Sequence, residues 1–259
     1  MMVFMTNQHL TILTGASRGM GLAMAEQLLQ PDCTLLCISR KTNSSLATLA
    51  EAKGATLIQW TEDLAQGAVV SRKLEAWLLA QDPAGFNGFA SATLINNAGV
   101  IPRIAPLSQS DVDDLALALR VGLEAPMQLS AAFLRATESW PGIRKVLNIS
   151  SGLGRRAMAS QAAYCAAKAG MDHFTRCLAL DEALKPNGAK VCALAPGVID
   201  TDMQVQLRSA DDALFPDRKG FAGLHQGGQL SSPVDAAKSV LAVLARADFG
   251  QNPVADVRD

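Results

Sequence analysis

Tyr164 is the single tyrosine among 259 residues, and Lys168 follows it by four positions within "QAAYCAAKAG" (161–170). Residues four apart on a helix share a face, so a phenol and an ammonium placed this way can reach the same ligand. A free phenol titrates near pH ~10, too high for efficient proton exchange at neutrality, and an adjacent cation favours its ionised form. The pair therefore predicts a tyrosine of lowered pKa that gives and takes a proton. Ser151, thirteen residues upstream of Tyr164, directly follows the apolar run "KVLNIS" (145–150). It offers a neutral donor to an oxygen on which negative charge develops. Together the three groups fit proton transfer at a carbonyl or alcohol oxygen, with the redox chemistry left to a cofactor. Singly, each has a plainer reading: a helix tyrosine with its ring in the core, a solvated lysine, a serine ending a strand.

A second motif shifts the balance. "TGASRGMGLAMAEQLL" (14–29) follows a short apolar run and places Gly15, Gly19 and Gly21, with Ser17, Arg18 and Met20 between them, before a helical pattern. Glycines there let the backbone turn tightly and approach a pyrophosphate, and the free N–H groups of the helix start favour the anion. A dinucleotide also needs a partner for its adenosine ribose at the end of the second strand. An acid would select NAD, whereas an arginine accepts a 2′-phosphate. That strand ends "CISRK", with Ser39, Arg40 and Lys41 and no acid, while Arg18 adds a cation inside the turn. The pattern predicts NADP(H) rather than NAD(H).

The elements that must position these groups alternate along the whole chain. Strand-like runs lie at 10–14, 34–39, 55–60, 92–96, 145–150 and 190–195, and read as buried on both faces, with a last strand expected at 253–257. Helical stretches lie at 19–29, 44–53, 67–80, 108–135, 160–185 and 233–246. Such alternation predicts a parallel sheet covered by helices on both faces, an α/β fold. The stretch 82–90 reads as a surface loop, and 198–231, long, mixed and irregular, as a cover over a site or a poorly structured surface excursion. A composition of 49% hydrophobic and 18% charged residues with a net charge of −1 suits one globular domain spanning 1–259. It carries no footprint for nucleic acid or an anionic membrane. The start, "MMVFMTNQHL", lacks the basic and small-residue marks of a signal peptide. Five cysteines without a C-x-x-C pair predict a reducing, cytoplasmic setting, and His9, His173 and His225 lack metal-ligand spacing.

Six markers in order resemble the short-chain dehydrogenase/reductase family over nearly the full length. They are "TGASRGMG" (14–21), Asp63 in "EDL", "NNAG" (96–99), "NISS" (148–151), "YCAAK" (164–168) and "PGVIDT" (196–201). The resemblance implies a single-domain, Rossmann-like, doubly wound parallel sheet and hydride transfer between a nicotinamide cofactor and a carbonyl or alcohol carbon. It also implies roles: Tyr164 as proton donor and acceptor, Lys168 as its partner, and Ser151, in preference to Ser150, holding the substrate oxygen. Asp63 and Leu64 match the adenine-contacting pair. Asn97, Ala98 and Gly99 match the ribose passage, and Pro196, Gly197, Val198 and Thr201 the nicotinamide-side loop.

"APGVIDTDMQ" (195–204), Arg40 and the ending "PVADVRD" are similar to the sepiapterin reductase and benzil-type carbonyl reductase branch. This implies an NADPH-dependent reductase of a ketone or diketone, aromatic or pterin-like, with Asp256 as the match to a pterin-anchoring aspartate. Leu153, the 156–161 loop and the 198–231 segment, including Met203, Leu207, Leu214 and Phe215, are expected to wall an apolar substrate pocket. A homodimer or homotetramer is expected on the helices at 108–135 and 160–185. Two other functions stand beside this one: an NAD-linked secondary-alcohol dehydrogenase, and a non-catalytic NADP-binding sensor on the same fold. One position departs from the family pattern. Gly122 in "LRVGLEAP" stands where the family has an asparagine whose locally opened helix holds a relay water. Pro126, four residues on, has no N–H for the Gly122 carbonyl, so an opened helix backbone is expected here.

Overall fold

The computed structural model describes residues 8–81 and 89–259. The start of the chain up to residue 7, and most of the expected 82–90 loop, lie outside the described residues. In chain order the first half reads β1 (Gln8–Thr14), α1 (Gly19–Leu28), β2 (Cys33–Ser39), α2 (Ser44–Lys53), β3 (Thr56–Thr61), α3 (Gly67–Ala80) and β4 (Phe89–Asn96). The second half reads α4 (Val112–Leu119), α5 (Ala125–Ala136), β5 (Ile143–Ile149), α6 (Ala162–Ala183), β6 (Lys190–Ala195), α7 (Asp202–Arg208), α8 (Arg218–Gln226), α9 (Pro233–Ala245) and β7 (Val254–Asp256).

Alternation along the strands builds the two faces. Leu35 and Cys37 of β2 enter one apolar cluster with Met24 of α1 and Val240 of α9. Leu36 and Ile38, their neighbours, enter the other with Leu74 of α3 and Phe133 of α5. Adjacent side chains point to opposite faces of a strand, so a run apolar at every position needs helices on both sides. All strand pairs are parallel in the order β3-β2-β1-β4-β5-β6-β7. Successive strands run outward in one direction from β1 to β3 and in the other from β4 to β7. The reversal between β1 and β4 opens a crevice at their carboxyl ends, where this class of sheet binds its ligands. The expected single-domain, doubly wound sheet is what the chain forms.

Three expectations need correction. The edge strand β3 is only half-buried, not covered on both faces. The helical stretch 108–135 is two helices joined by a wide turn over Arg120–Glu124, where the Ala125 N–H reaches back five residues to the Arg120 carbonyl. This is the opened backbone expected around Gly122 and Pro126. The 198–231 stretch is not irregular: it carries α7 and α8. Phe215, fully buried, stacks on Phe221 at 5.7 Å and packs with Leu207 and Ile104 in a small separate cluster. Among the described residues no helix is long and apolar enough to cross a membrane.

Candidate active site

At the β1–β4 crevice the chain's own backbone shapes the wall. Gly15 and Gly19 adopt φ of +71° and +57°, left-handed values that suit glycine. Gly21 has no room for a side chain, since a Cβ there would sit 2.0 Å from the Gly15 carbonyl oxygen. Thr14 Oγ1 accepts the Asn97 and Ala98 N–H groups at 2.9 and 3.0 Å, and Asn97 Nδ2 donates to the Thr14 carbonyl at 3.0 Å. The Ala16 N–H is held by Ser39 Oγ at 2.8 Å. The turn is thus tied to the ends of β1, β2 and β4, while the start of α1 carries no side-chain cap and no acid in its first turn. Uncapped N–H groups behind a bare glycine cradle form a ready anion site.

Arg40 and Lys41 are exposed on the rim of this cavity. Arg18 is not the free cation that the sequence suggests, because its guanidinium is paired with the Asp202 carboxylate at the start of α7. Asp63 caps the short turn Leu64–Gln66 by accepting from the Ala65 N–H at 2.9 Å, and both Asp63 and Leu64 line the cavity.

Ser151, Tyr164 and Lys168 meet deeper in, where β5 ends against α6. Lys168 is 4% exposed, donates from Nζ to the Ile149 carbonyl at 2.7 Å, and lies 5.8 Å from the Tyr164 ring centre. Burial lowers its pKa to about 8, against a partial upward pull from Asp172. The lowered tyrosine pKa expected from sequence is not what the structure gives. Burial of the phenol raises it, and the nearby Ser151 hydroxyl only partly opposes this. The Lys168 ammonium expected to lower it donates instead to the Ile149 carbonyl.

Every residue singled out from the sequence for the cofactor, with Ser151, Leu153, Met203, Leu207 and Asp256 on the substrate side, lines a single cavity of about 1460 Å³. It runs from Arg40 past Gly99 and Tyr164 to Met203 and Asp256. Pro196, Gly197 (φ +83°), Val198 and Thr201 form its wall after β6.

The model of the short chain dehydrogenase family matches residues 9–212. This chain belongs to the short-chain dehydrogenase/reductase family. It is 34% identical over 243 residues to a benzil reductase ((S)-benzoin forming) of Bacillus cereus, covering 94% of this chain and 96% of that one. It is 31% identical over 261 residues to the sepiapterin reductase of Mus musculus, covering 96% of each. The fold overlays a putative 2-deoxy-d-gluconate 3-dehydrogenase of Agrobacterium tumefaciens, solved with bound NADP, at a TM-score of 0.77 and 25% identity. That match covers 98% of this chain and 96% of the other. The chain therefore falls with the benzil- and sepiapterin-reductase branch of a family of oxidoreductases that use a nicotinamide cofactor. The cradle at Gly15–Gly21 and the uncapped start of α1 fit such a group.

Within this short-chain dehydrogenase/reductase site, some side chains are not where the sequence suggests. Phe215 is buried away from the cavity, and the Leu214 carbonyl accepts from Ser160 Oγ; both serve to pack the segment down rather than to line the pocket. Of the 156–161 loop only Arg156 lines the cavity. Asp256 does line it, but its carboxylate is held by Arg258 through two hydrogen bonds of 2.7 and 2.6 Å, which keep it well ionised. Missed altogether were Ile101, Leu117, Val121 and Arg155, whereas Gln204 and Phe221 fall in the 198–231 segment expected as a wall. The missed four come from three separate stretches, with no spacing that would group them. Also unforeseen is a buried polar chain under the strand ends: Asn96 donates to Asn148 at 2.8 Å, and Asn148 to Thr175 at 2.9 Å. "NNAG" and "NISS" carry the signal, since their first asparagines occupy matched positions on β4 and β5.

Proposed function

We propose that this chain is an NADPH-dependent reductase that transfers a hydride to the carbonyl carbon of an apolar ketone or diketone. The observation that carries it is the convergence of Ser151, Tyr164 and Lys168 where the glycine cradle passes into a wall of Leu153, Met203 and Leu207. The nicotinamide supplies the hydride. Ser151 donates a hydrogen bond to the substrate oxygen as charge gathers there, and Tyr164 delivers the proton that completes the alcohol. A phenol held protonated by burial is suited to donating, which favours reduction over alcohol oxidation at neutral pH. Lys168 reaches the ribose side of the cofactor next to Gly99 and keeps a positive charge below Tyr164.

The cofactor preference rests on Arg40 and Lys41 at the end of β2 and on the lack of an acid there. A diketone is favoured over a pterin because Asp256 is already engaged by Arg258, which a pterin would have to displace. The segment 198–231 covers the substrate through α7 and α8. The exposed Met127 of α5 and Leu180 of α6 support a homodimer or homotetramer on those helices.

The test is NADPH oxidation against aromatic ketones, 1,2-diketones and pterins, run alongside NADH. The expected result is reduction of a diketone with NADPH preferred, and a loss of about 10³-fold in Tyr164→Phe without loss of cofactor binding. Turnover that persists in Tyr164→Phe, or a preference for NADH, would overturn the assignment.

A further inference from the structure

Asp172 lies one helical turn beyond Lys168 and two beyond Tyr164, on the same stripe of α6. It is 2% exposed and, beyond its upward pull on the Lys168 pKa, has no role assigned above. One of its oxygens, Oδ1, accepts from the Ser150 hydroxyl, and the other, Oδ2, accepts from Arg155 Nε at 3.3 Å. Ser150 and Arg155 are the two ends of the six-residue turn that carries Ser151. A single buried carboxylate therefore grips that turn at both ends.

The middle of the turn is pressed onto the same place. A Cβ at Gly154 would sit 3.0 Å from Asp172 Oδ2 and 2.9 Å from the Lys168 carbonyl, so the backbone there rests directly on α6. Arg155 extends the grip outward, donating from Nη2 to the Ala255 carbonyl of β7 at 2.7 Å. Ser150 anchors the inner end, its N–H bonded to the Leu194 carbonyl of β6 at 2.9 Å. Removing one partner of a buried charged network leaves the others unsatisfied and free to shift.

We infer that Asp172 is a positioning residue: through Ser150 and Arg155 it fixes the distance between the Ser151 hydroxyl and Tyr164. The helix that carries the proton donor thereby also sets the place of the serine opposite it. Asp172 touches neither substrate nor cofactor. This role rests on the assignment of Ser151 and Tyr164 made above.

A double-mutant cycle tests it. Asp172→Asn keeps the shape but turns an amide toward Arg155, and is expected to lower kcat about 10- to 100-fold, as ångström-scale misplacement does. NADPH affinity should stay within about twofold of the parent, because no cofactor wall is altered. In a Ser151→Ala background the same change should cost less than about threefold, since the serine it positions is gone. An equal loss in both backgrounds would show a merely structural role and overturn the inference. Arg155→Met, which frees only the outer end, should show the same non-additivity with a smaller loss. It carries the test if Asp172→Asn does not fold.

A readout without turnover separates this inference from the proposed reaction. Absorbance near 295 nm follows the only phenol in the chain. Ser151→Ala should raise the Tyr164 titration midpoint, and Asp172→Asn should raise it too, with no further rise in the double variant. A parent protein that reduces no carbonyl would overturn the proposed function, and the phenol titration would then decide the role of Asp172. An Asp172→Asn midpoint equal to that of the parent would overturn the positioning role.

Discussion

Around the glycine turn the cavity wall is backbone, pinned by Thr14, Ser39 and Asn97 and closed so tightly at Gly21 that no side chain fits. At the far end, past Ser151, the wall is made of side chains from α7, α8 and the chain's last residues, held by separate contacts such as Phe215 on Phe221. The first construction offers one shape and tolerates almost no change; the second can be re-lined residue by residue while its scaffold persists. A cofactor shared by many reactions suits the former, and a substrate particular to one suits the latter. Ser151, Tyr164 and Lys168 stand at the join, where burial controls the ionisation of the phenol and the ammonium.

The contrast can be broken most severely at Gly21. Gly21→Ala places a methyl where backbone oxygen lies 2.0 Å away, so the turn must open. NADPH affinity should fall by about 100-fold or more, whereas Leu207→Ala on the opposite wall should leave it within about threefold. Equal losses on the two sides, measured by fluorescence titration of NADPH, would erase the distinction.

Arg40 gives a sharper, smaller cut. If Arg40 reads a 2′-phosphate as proposed, Arg40→Ala should weaken NADPH by about 10- to 100-fold while NADH changes little. Parallel weakening of both cofactors in steady-state kinetics would show that Arg40 does not read the phosphate.

At the join, the expected effect is a slope. Lys168 titrates near 8, lowered by burial, while burial raises Tyr164, so the tyrosine keeps its proton as the lysine loses its own. The kcat/KM for reduction should be flat below pH 8 and fall about tenfold per unit above it. Lys168→Arg, charged throughout, should remove the break. Folding stability moves the other way. The folded pKa lies below the 10.5 of a free lysine, so the unfolded chain holds more protons between pH 8 and 10.5. The burial penalty, full below pH 8, is relieved as pH rises through that window, and thermal unfolding of the parent against Lys168→Met would show it.

Legibility follows the same division. The ends of α2 and α3 match the helical stretches 44–53 and 67–80 to the residue, and at α2 the structure shows why: Asn43 caps the start and left-handed Gly54 closes the end. The glycine cradle was legible because backbone geometry leaves a mark in residue type: only glycine serves at Gly15, Gly19 and Gly21. Gly122 left a similar mark, and the opened turn over Arg120–Glu124 is there. A Cβ at that position would come 3.1 Å from the Ala167 side chain, so glycine also lets α6 approach with Lys168 beside it. Helices α7 and α8 were not legible. Their short amphipathic turns are stabilised by Phe215 and Ile104, which lie more than a hundred residues apart and show no joint periodicity.

By itself the sequence determined the alternation of strands and helices, the cradle, and the pairing of Tyr164 with Lys168, since each depends on local spacing and on what a backbone can adopt. Only the tertiary structure decided the charge states and partners. It gave Arg18 to Asp202, Asp256 to Arg258 and the Lys168 ammonium to the Ile149 carbonyl, and it raised the tyrosine's pKa where neighbouring charge alone would lower it. The physical reason is that burial and long-range pairing depend on which distant segments come together, and no residue carries that information in its own neighbourhood.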